Sequence, residues 1–234
     1  MSVIANKRQT AFSEFERQGI ILCRYTSDRL NRVPSRYKKF INPKIYNHAN
    51  RALTALIYAN EESSKSPEGR ARRLAYFNEA VCELARLQKP LIAAWNVLEV
   101  EESSAERWAN HVNRVFALVW GVTKWKKESM PMIIPLPKKK MERLEFLKTM
   151  AELHRYTYIK IGHAPQYCKD TISEQIAGFV DTALCEVVLA NHKEPATQAE
   201  AKERAAHLQT AIYSLNGLQH PLLALWLIQD YSEN

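Results

Sequence analysis

The chain has 234 residues, of which 46% are hydrophobic and 25% are charged, and these proportions are those of a folded protein rather than a disordered one. Only 6 residues are glycine, which argues against a turn-rich all-β protein and favours long helices. Lys and Arg outnumber Asp and Glu by 33 to 25, a net charge of +8. Such an excess is typical of proteins that meet a polyanion or an acidic protein surface.

Apolar residues recur at steps of three and four along the chain, which is the spacing of one helical face. The first helix ends before Pro34. The third is expected to bend at Pro90, because proline removes a helical hydrogen bond. The pair Ser103–Ser104 is the expected N-cap of the fourth. We expect these four helices at 7–31, 41–59, 74–98 and 104–127.

A connector rich in proline follows the fourth helix. Pro131, Pro135 and Pro137 predict a stiff, extended segment over 129–140. Helices are then expected near 138–161, 171–191 and 196–231, with a bend at Pro221. The predicted fold is therefore all-α: an antiparallel four-helix bundle over 1–128, followed by a related three-helix unit over 141–234.

A tandem repeat relates the two parts of the chain. A shift of 131 residues aligns 22–97 with 153–228 without a gap, and 22 of the 76 aligned pairs are identical. The identical segments include Arg24-Tyr25-Thr26 with Arg155-Tyr156-Thr157, Ala59-Asn60 with Ala190-Asn191, and Trp95 with Trp226. Chance would give only a handful of identities, so the sequence indicates a duplication.

The second repeat lacks a counterpart of the fourth helix, so one of its apolar faces is left without a cover. Leu215, Leu222 and Trp226 would then lie in water, although burial of such a side chain is worth roughly 1.5–3 kcal/mol. Either the first helix of the chain folds across this face or another chain covers it. We expect the second solution, and predict a homo-oligomer held by contacts of the second repeat.

The excess positive charge lies in the first half of the chain, with a net charge of +9 for 1–130 and −1 for 131–234. Its densest stretch interleaves cations with Tyr25, Tyr37 and Tyr46, a combination that suits a nucleic-acid backbone with stacked, unpaired bases. The alternative is that the tyrosines pack in the core and the charges form a solvated face. The candidate binding residues of this stretch are Arg24, Arg29, Arg32, Arg36, Lys38, Lys39 and Arg51.

Two further cationic clusters are candidates for the same interface. Arg70, Arg72 and Arg73 lie near the start of the third helix, where positive charge opposes the helix dipole. A second cluster, at the end of the fourth helix, is favoured by the dipole and therefore has a structural explanation as well. It comprises Lys124, Lys126 and Lys127.

Motifs of catalysis and of metal binding are missing from the sequence. There is no phosphate-binding glycine loop, no HExxH, no paired Cys/His spacing and no nucleophile elbow. The sequence predicts no catalytic residue, no metal and no cofactor, and it gives no ground for calling the protein an enzyme. The four cysteines form no CxxC pair, the best apolar run covers only 221–228, and the N-terminal segment lacks a secretory stretch. We therefore expect a cytoplasmic protein with unreactive thiols and no membrane partner.

The first repeat resembles a small four-helix-bundle family that includes the rRNA intervening-sequence proteins. It is most similar to the accessory variability determinants of diversity-generating retroelements. The resemblance rests on the order of a basic, aromatic first helix, the loop Val33-Pro34-Ser35-Arg36-Tyr37-Lys38, the segment Asn50-Arg51-Ala52-Leu53, and the ending Trp120 to Lys127. It covers about 20–127 well and 150–230 more weakly. The matching basic positions are Arg36, Lys38, Arg51, Arg73, Lys124 and Lys126.

This resemblance implies a non-enzymatic accessory protein of a retroelement reverse transcriptase. Such a protein would bind the polymerase and structured template RNA through a basic face and support cDNA synthesis in mutagenic retrohoming. The tandem copy and its missing last helix depart from the family pattern. The alternative function is a helical protein–protein adaptor whose basic face binds an acidic protein surface.

Overall fold

The computed structural model describes residues 3–62, 65–123, 134–135, 145–192 and 195–232, with side chains from residue 14 to residue 226 within these ranges. The fold is all-α: every regular element in the described residues is an α-helix. The first repeat contains α1 (Val3–Asn31), α2 (Ser35–Glu61), α3 (Pro67–Arg86) and α4 (Gln88–Val97), and α5 (Glu102–Thr123) follows it. The second contains α6 (Glu145–His163), α7 (Gln166–Lys169), α8 (Ile172–His192), α9 (Gln198–Gly217) and α10 (Gln219–Ser232).

The helix boundaries repeat at the same offset as the sequence. Helix α9 begins and ends 131 residues after α3, and α10 begins 131 residues after α4. The N-caps are also aligned, because Oγ of Ser66 accepts a hydrogen bond from the Gly69 amide and Oγ1 of Thr197 accepts one from the Glu200 amide. Each predicted bend at a proline corresponds to an interruption three residues earlier, at Leu87 and at Leu218.

The start of α5 differs from the sequence expectation, and the predicted connector is described only in part. Helix α5 begins at Glu102, so Ser103 and Ser104 lie inside its first turn and the predicted N-cap is wrong. The backbone carbonyl of Ser104 instead accepts a hydrogen bond from Tyr25 Oη, at 3.2 Å. Of the predicted connector over 129–140, only residues 134 and 135 are described. Ile134 is fully buried, and both of its backbone polar groups bond to the side chain of Asn113.

The chain divides into two compact units that are not contiguous in sequence. The first unit contains α1, the part of α2 from Asn42 onward, α3 and α5. The second contains Pro34–Ile41, Lys89–Glu101 with most of α4, and helices α6 to α10. Two segments of the first repeat therefore pack with the second unit. The four-plus-three arrangement of helices stays a prediction.

In the first unit, α1 and α2 are antiparallel neighbours. Cys23 Sγ donates to the Ala49 carbonyl at 3.3 Å, and Asn42 Nδ2 donates to the Leu30 carbonyl at 3.2 Å. Gly19 allows the close approach, because a Cβ at this position would lie 2.9 Å from Cδ1 of Leu53. Helix α5 packs on both α1 and α3. At the contact with α1, Nε1 of the fully buried Trp108 donates a hydrogen bond to Oγ1 of Thr26 at 3.0 Å.

In the second unit, α8 is the central helix and packs against α6, α7, α9 and α10. Helix α9 approaches α8 closely at Gly217, because a Cβ at this position would lie 2.6 Å from the ring of Phe179. The segment Pro34–Ile41 contributes Tyr37 and Phe40, whose rings meet the ring of Tyr158 at centroid distances of 6.3 and 6.4 Å. Residues of both repeats therefore build one core.

Candidate nucleic-acid interface

The first unit presents exposed arginines on α1, on α2 and in the turn that follows α1. Arg24, Arg32 and Arg51 are exposed and form no ion pair with any described residue. Arg29 is half-buried, and its guanidinium lies 4.9 Å from the centre of the Tyr25 ring. Ion pairs would neutralise a binding surface, so cations that remain unpaired are the ones that can meet phosphates.

The three tyrosines of the basic stretch are buried to different degrees. Tyr37 is only 4% exposed and packs edge-on against Tyr158. Tyr25 packs against Trp108 and His111, with ring centroids 6.1 and 5.0 Å apart, and its hydroxyl bonds to α5. Tyr46 is 47% exposed. The packing alternative is therefore correct for Tyr37, whereas Tyr25 is half-buried against α5.

Three cations of the same stretch belong to the second unit. Arg36 is exposed and its guanidinium lies 4.8 Å from the centre of the Tyr37 ring, and Lys38 is also exposed. Lys39 forms an ion pair with Asp170. The basic stretch is thus divided between the two units at Val33–Pro34 and at Ile41–Asn42.

The cluster near the start of α3 is largely occupied by local contacts. Arg72 Nε donates to Glu62 Oε1 at 2.8 Å, and this bond raises the pKa of Arg72. Arg73 is half-buried over the Phe77 ring, and burial lowers its pKa. Arg70 donates from Nη1 to the Lys65 carbonyl. Lys124, Lys126 and Lys127 lie outside the described residues.

A buried polar cluster in the second unit was not found from the sequence. Asp181 Oδ1 on α8 lies 3.0 Å from His154 Nε2 and 2.8 Å from Tyr158 Oη, which donates to it. Asn96 Nδ2 on α4 lies 3.0 Å from the Nδ1 atom of the same histidine and donates to the Ala151 carbonyl at 2.8 Å. His154 is completely buried. No motif links these residues, since Asn96 and Asp181 are 85 positions apart in the sequence.

The hydrogen bonds of this cluster assign the imidazole of His154 as neutral. The Ala151 carbonyl can only accept, so the Asn96 atom facing it is the amide nitrogen, and that nitrogen also donates to His154 Nδ1. The remaining proton is therefore on Nε2 and is donated to Asp181. Burial and the neighbouring carboxylate of Asp181 raise the pKa of Tyr158 well above its usual range. His154 is thus held between α4 and α8, and the cluster links both helices to α6.

The cysteines are protected to different degrees. Burial raises the pKa of Cys23 to about 11, and burial together with the nearby Glu186 raises the pKa of Cys185 to about 12. Cys168 is buried and Cys82 is exposed.

Within the described residues, no group of three or more His, Cys, Asp or Glu side chains is placed to hold a metal ion. Among the described helices, none is both long enough and apolar enough to span a membrane.

Comparisons with protein-family models, with curated proteins and with solved structures find no match for this chain. The resemblance to the intervening-sequence proteins therefore remains an expectation from the sequence.

Proposed function

We propose that the protein is a non-enzymatic, cytoplasmic accessory factor of a retroelement reverse transcriptase, which binds structured RNA and the polymerase through exposed cations of the first unit. The supporting observation is that Arg24, Arg32 and Arg51 are exposed and form no ion pair within the described chain. The net charge of +9 over 1–130 agrees with this role. Recognition would rest mainly on the phosphate backbone, because Tyr37 is packed in the core and Tyr25 is half-buried against Trp108.

The test is a mobility-shift titration of the full-length protein against a structured RNA at several salt concentrations. Replacement of two phosphate-binding cations, Arg24→Glu with Arg51→Glu, is expected to weaken affinity by about tenfold or more and to lower the salt slope by about 2. The matched control is Lys148→Glu with Lys202→Glu, which changes the net charge equally at exposed positions of the second unit. Equal loss of affinity in both variants would contradict a localised binding face.

A helical adaptor for an acidic protein surface is the second candidate function. The burial of Tyr37 favours it, because a basic stretch with fewer exposed rings selects less strongly for nucleic acid over an acidic protein. Failure of the wild-type protein to bind RNA, together with salt-sensitive binding to the polymerase that Arg24→Glu weakens, would support the adaptor.

A further inference from the structure

The two repeats differ in what covers one face of their first helix. In the first unit, α5 lies along α1: Tyr25 Oη donates to the Ser104 carbonyl, and Trp108 Nε1 donates to Thr26 Oγ1. Leu22, on the same face, is 1% exposed. This face of α1 is therefore an established binding surface for an amphipathic helix.

The second repeat keeps the residues that align with this face of α1, but two of them are exposed to solvent. Leu153 is aligned with Leu22 and is 41% exposed, and Tyr156 is aligned with Tyr25 and is 59% exposed. Thr157 is aligned with the acceptor Thr26. Leu153 and Tyr156 thus repeat the residues that meet α5 and remain exposed, whereas Thr157 is buried and its Oγ1 donates to the Leu153 carbonyl at 2.8 Å.

A groove of about 450 Å³ lies on this face, between α6 and α10. Trp226 is 57% exposed there and Leu222 is also exposed. A contiguous apolar surface of this kind is typical of an interaction site. We call this groove the open face; its lining residues are Tyr156, Lys160, His163, Leu222, Leu225 and Trp226.

We infer that the open face binds one amphipathic α-helix of a partner protein, with a tryptophan on its apolar side and acidic residues in its first turns. The apolar requirement follows from α5, which fills the aligned surface with Trp108, Val112, Val115 and Val119, all of them buried. A helix bound in the same way would place its tryptophan against the exposed ring of Tyr156, as Trp108 lies against Tyr25.

The acidic requirement follows from the cations at the open face. Lys160 Nζ lies 5.2 Å from the centre of the Tyr156 ring, just as the Arg29 guanidinium lies 4.9 Å from the centre of the Tyr25 ring. In the first unit the first turns of α5, which meet Tyr25 through Ser104, carry the exposed Glu102 and Glu106. Acids at the same place on a partner helix would complement Lys160 and the exposed His163.

A second copy of the chain is a weaker occupant. The helix of matching chemistry is α5, and in every copy its apolar residues are already buried, with Trp108 and Val115 each only 1% exposed. A second copy would have to expose that core to supply the helix. The inference concerns a different surface from the proposed RNA interface and does not depend on it.

The test uses the full-length protein and a fluorescein-labelled synthetic peptide with the sequence of 102–123, followed by fluorescence anisotropy. The peptide is expected to bind, and Tyr156→Ala with Trp226→Ala is expected to weaken binding at least tenfold. The matched control is Tyr213→Ala, which removes a similarly exposed ring from α9 outside the groove. A peptide with Trp108→Ala is expected to bind at least tenfold more weakly.

Two results would overturn the inference. One is an absence of peptide binding, or peptide binding that Tyr156→Ala with Trp226→Ala leaves unchanged while circular dichroism shows intact helix. The other comes from light scattering of the same samples: a mass above that of one chain, which the double substitution returns to one chain, would assign the open face to a second copy.

Discussion

His48 on α2 and Glu83 on α3 form a hydrogen-bonded pair, with Nδ1 of His48 2.7 Å from Oε2 of Glu83. The second unit also has a His–Glu pair, but the glutamate is now on the earlier helix and the histidine on the later one. Glu186 lies on α8 and His207 on α9, with Nδ1 of His207 2.7 Å from Oε2 of Glu186. The two pairs occupy positions that the repeat does not align. Each acid also meets another cation: Arg86 in the first unit and Lys89 in the second. The repeats have therefore reached the same cross-link between their second and third helices by different substitutions.

Replacement of Glu83 tests the pair in the first unit. Burial raises the pKa of Glu83, but the hydrogen bonds from His48 and Arg86 outweigh it, and the pKa lies below its ordinary value. The stabilisation is thus present above the unfolded-state pKa and is lost as the pH falls through the lower folded-state pKa. Glu83→Gln is expected to lower the free energy of unfolding by about 1–3 kcal/mol at pH 7, with a smaller difference in acid.

Urea titrations at several pH values measure this difference. Glu79→Gln is the control, because Glu79 is exposed one turn earlier on the same helix. A loss caused by Glu83→Gln that is equal at pH 7 and pH 3 would show that the carboxylate charge does not contribute.

Two substitutions in the buried cluster around Asp181 are expected to lower the free energy of unfolding by different amounts. Tyr158→Phe removes one neutral donor and is expected to cost about 1 kcal/mol of unfolding free energy. Asp181→Ala leaves the His154 and Tyr158 donors buried without their acceptor and is expected to cost about 3 kcal/mol or more. Denaturant unfolding provides both values, and equal losses would contradict the shared acceptor. The control is Thr182→Ala, because the part-buried hydroxyl of Thr182 donates its hydrogen bond to a carbonyl of α8 itself.

Thiol labelling tests the burial of the cysteines. At pH 8, Cys82 is expected to react rapidly because it is exposed, while Cys23, Cys168 and Cys185 are expected to react only when the protein opens. A chromogenic disulfide reagent should therefore titrate one thiol in the native protein and all four in denaturant. Cys82→Ser is expected to remove the rapid phase, and a rapid phase that survives this substitution would contradict the assignment.

Substitution by alanine is expected to change the free energy of unfolding in opposite directions at two glycines of the second unit. Gly178→Ala, where a Cβ meets nothing within 4 Å, is expected to raise the free energy of unfolding by about 0.5–1 kcal/mol. Gly217→Ala is expected to lower it, because its Cβ would lie 2.6 Å from the Phe179 ring. Thermal unfolding of the two variants provides the comparison, and stabilisation by both would show that the ring moves away without cost.

Arg36 and Lys38 are candidate binding residues that the structure places in the first turn of α2. Arg36→Glu with Lys38→Glu is expected to weaken binding without unfolding the protein, since both side chains are exposed and such charges contribute little to stability. The Lys148→Glu with Lys202→Glu variant is again the charge-matched control. Unchanged RNA affinity, with helix content intact by circular dichroism, would remove the first turn of α2 from the interface.

These experiments require the full chain, because the two units are not contiguous in sequence. A cut between the repeats would separate Asn96 from His154, and Tyr37 from Tyr158, and would leave both parts of each contact without a partner. The domain boundary that the repeat predicts at 128–141 therefore does not provide independent fragments for binding assays.

The sequence alone determined the helical class, the 131-residue repeat and the interruptions before Pro90 and Pro221. These features depend on short-range properties: the 3.6-residue spacing of apolar side chains, the missing amide of proline, and caps such as Ser66 and Thr197, which bond to amides three residues away.

The tertiary structure decided which residues meet. The structure assigns 34–41 and 89–101 to the second unit, pairs His48 with Glu83, and buries His154 between Asn96 and Asp181. The contacts involved join residues that are 27 to 121 positions apart, the largest separation being that of Tyr37 and Tyr158. Periodicity places each of these side chains on a face of its own helix but does not specify the helix opposite. Helix packing makes that choice, because a buried polar group is stable only where another element supplies its hydrogen-bond partner.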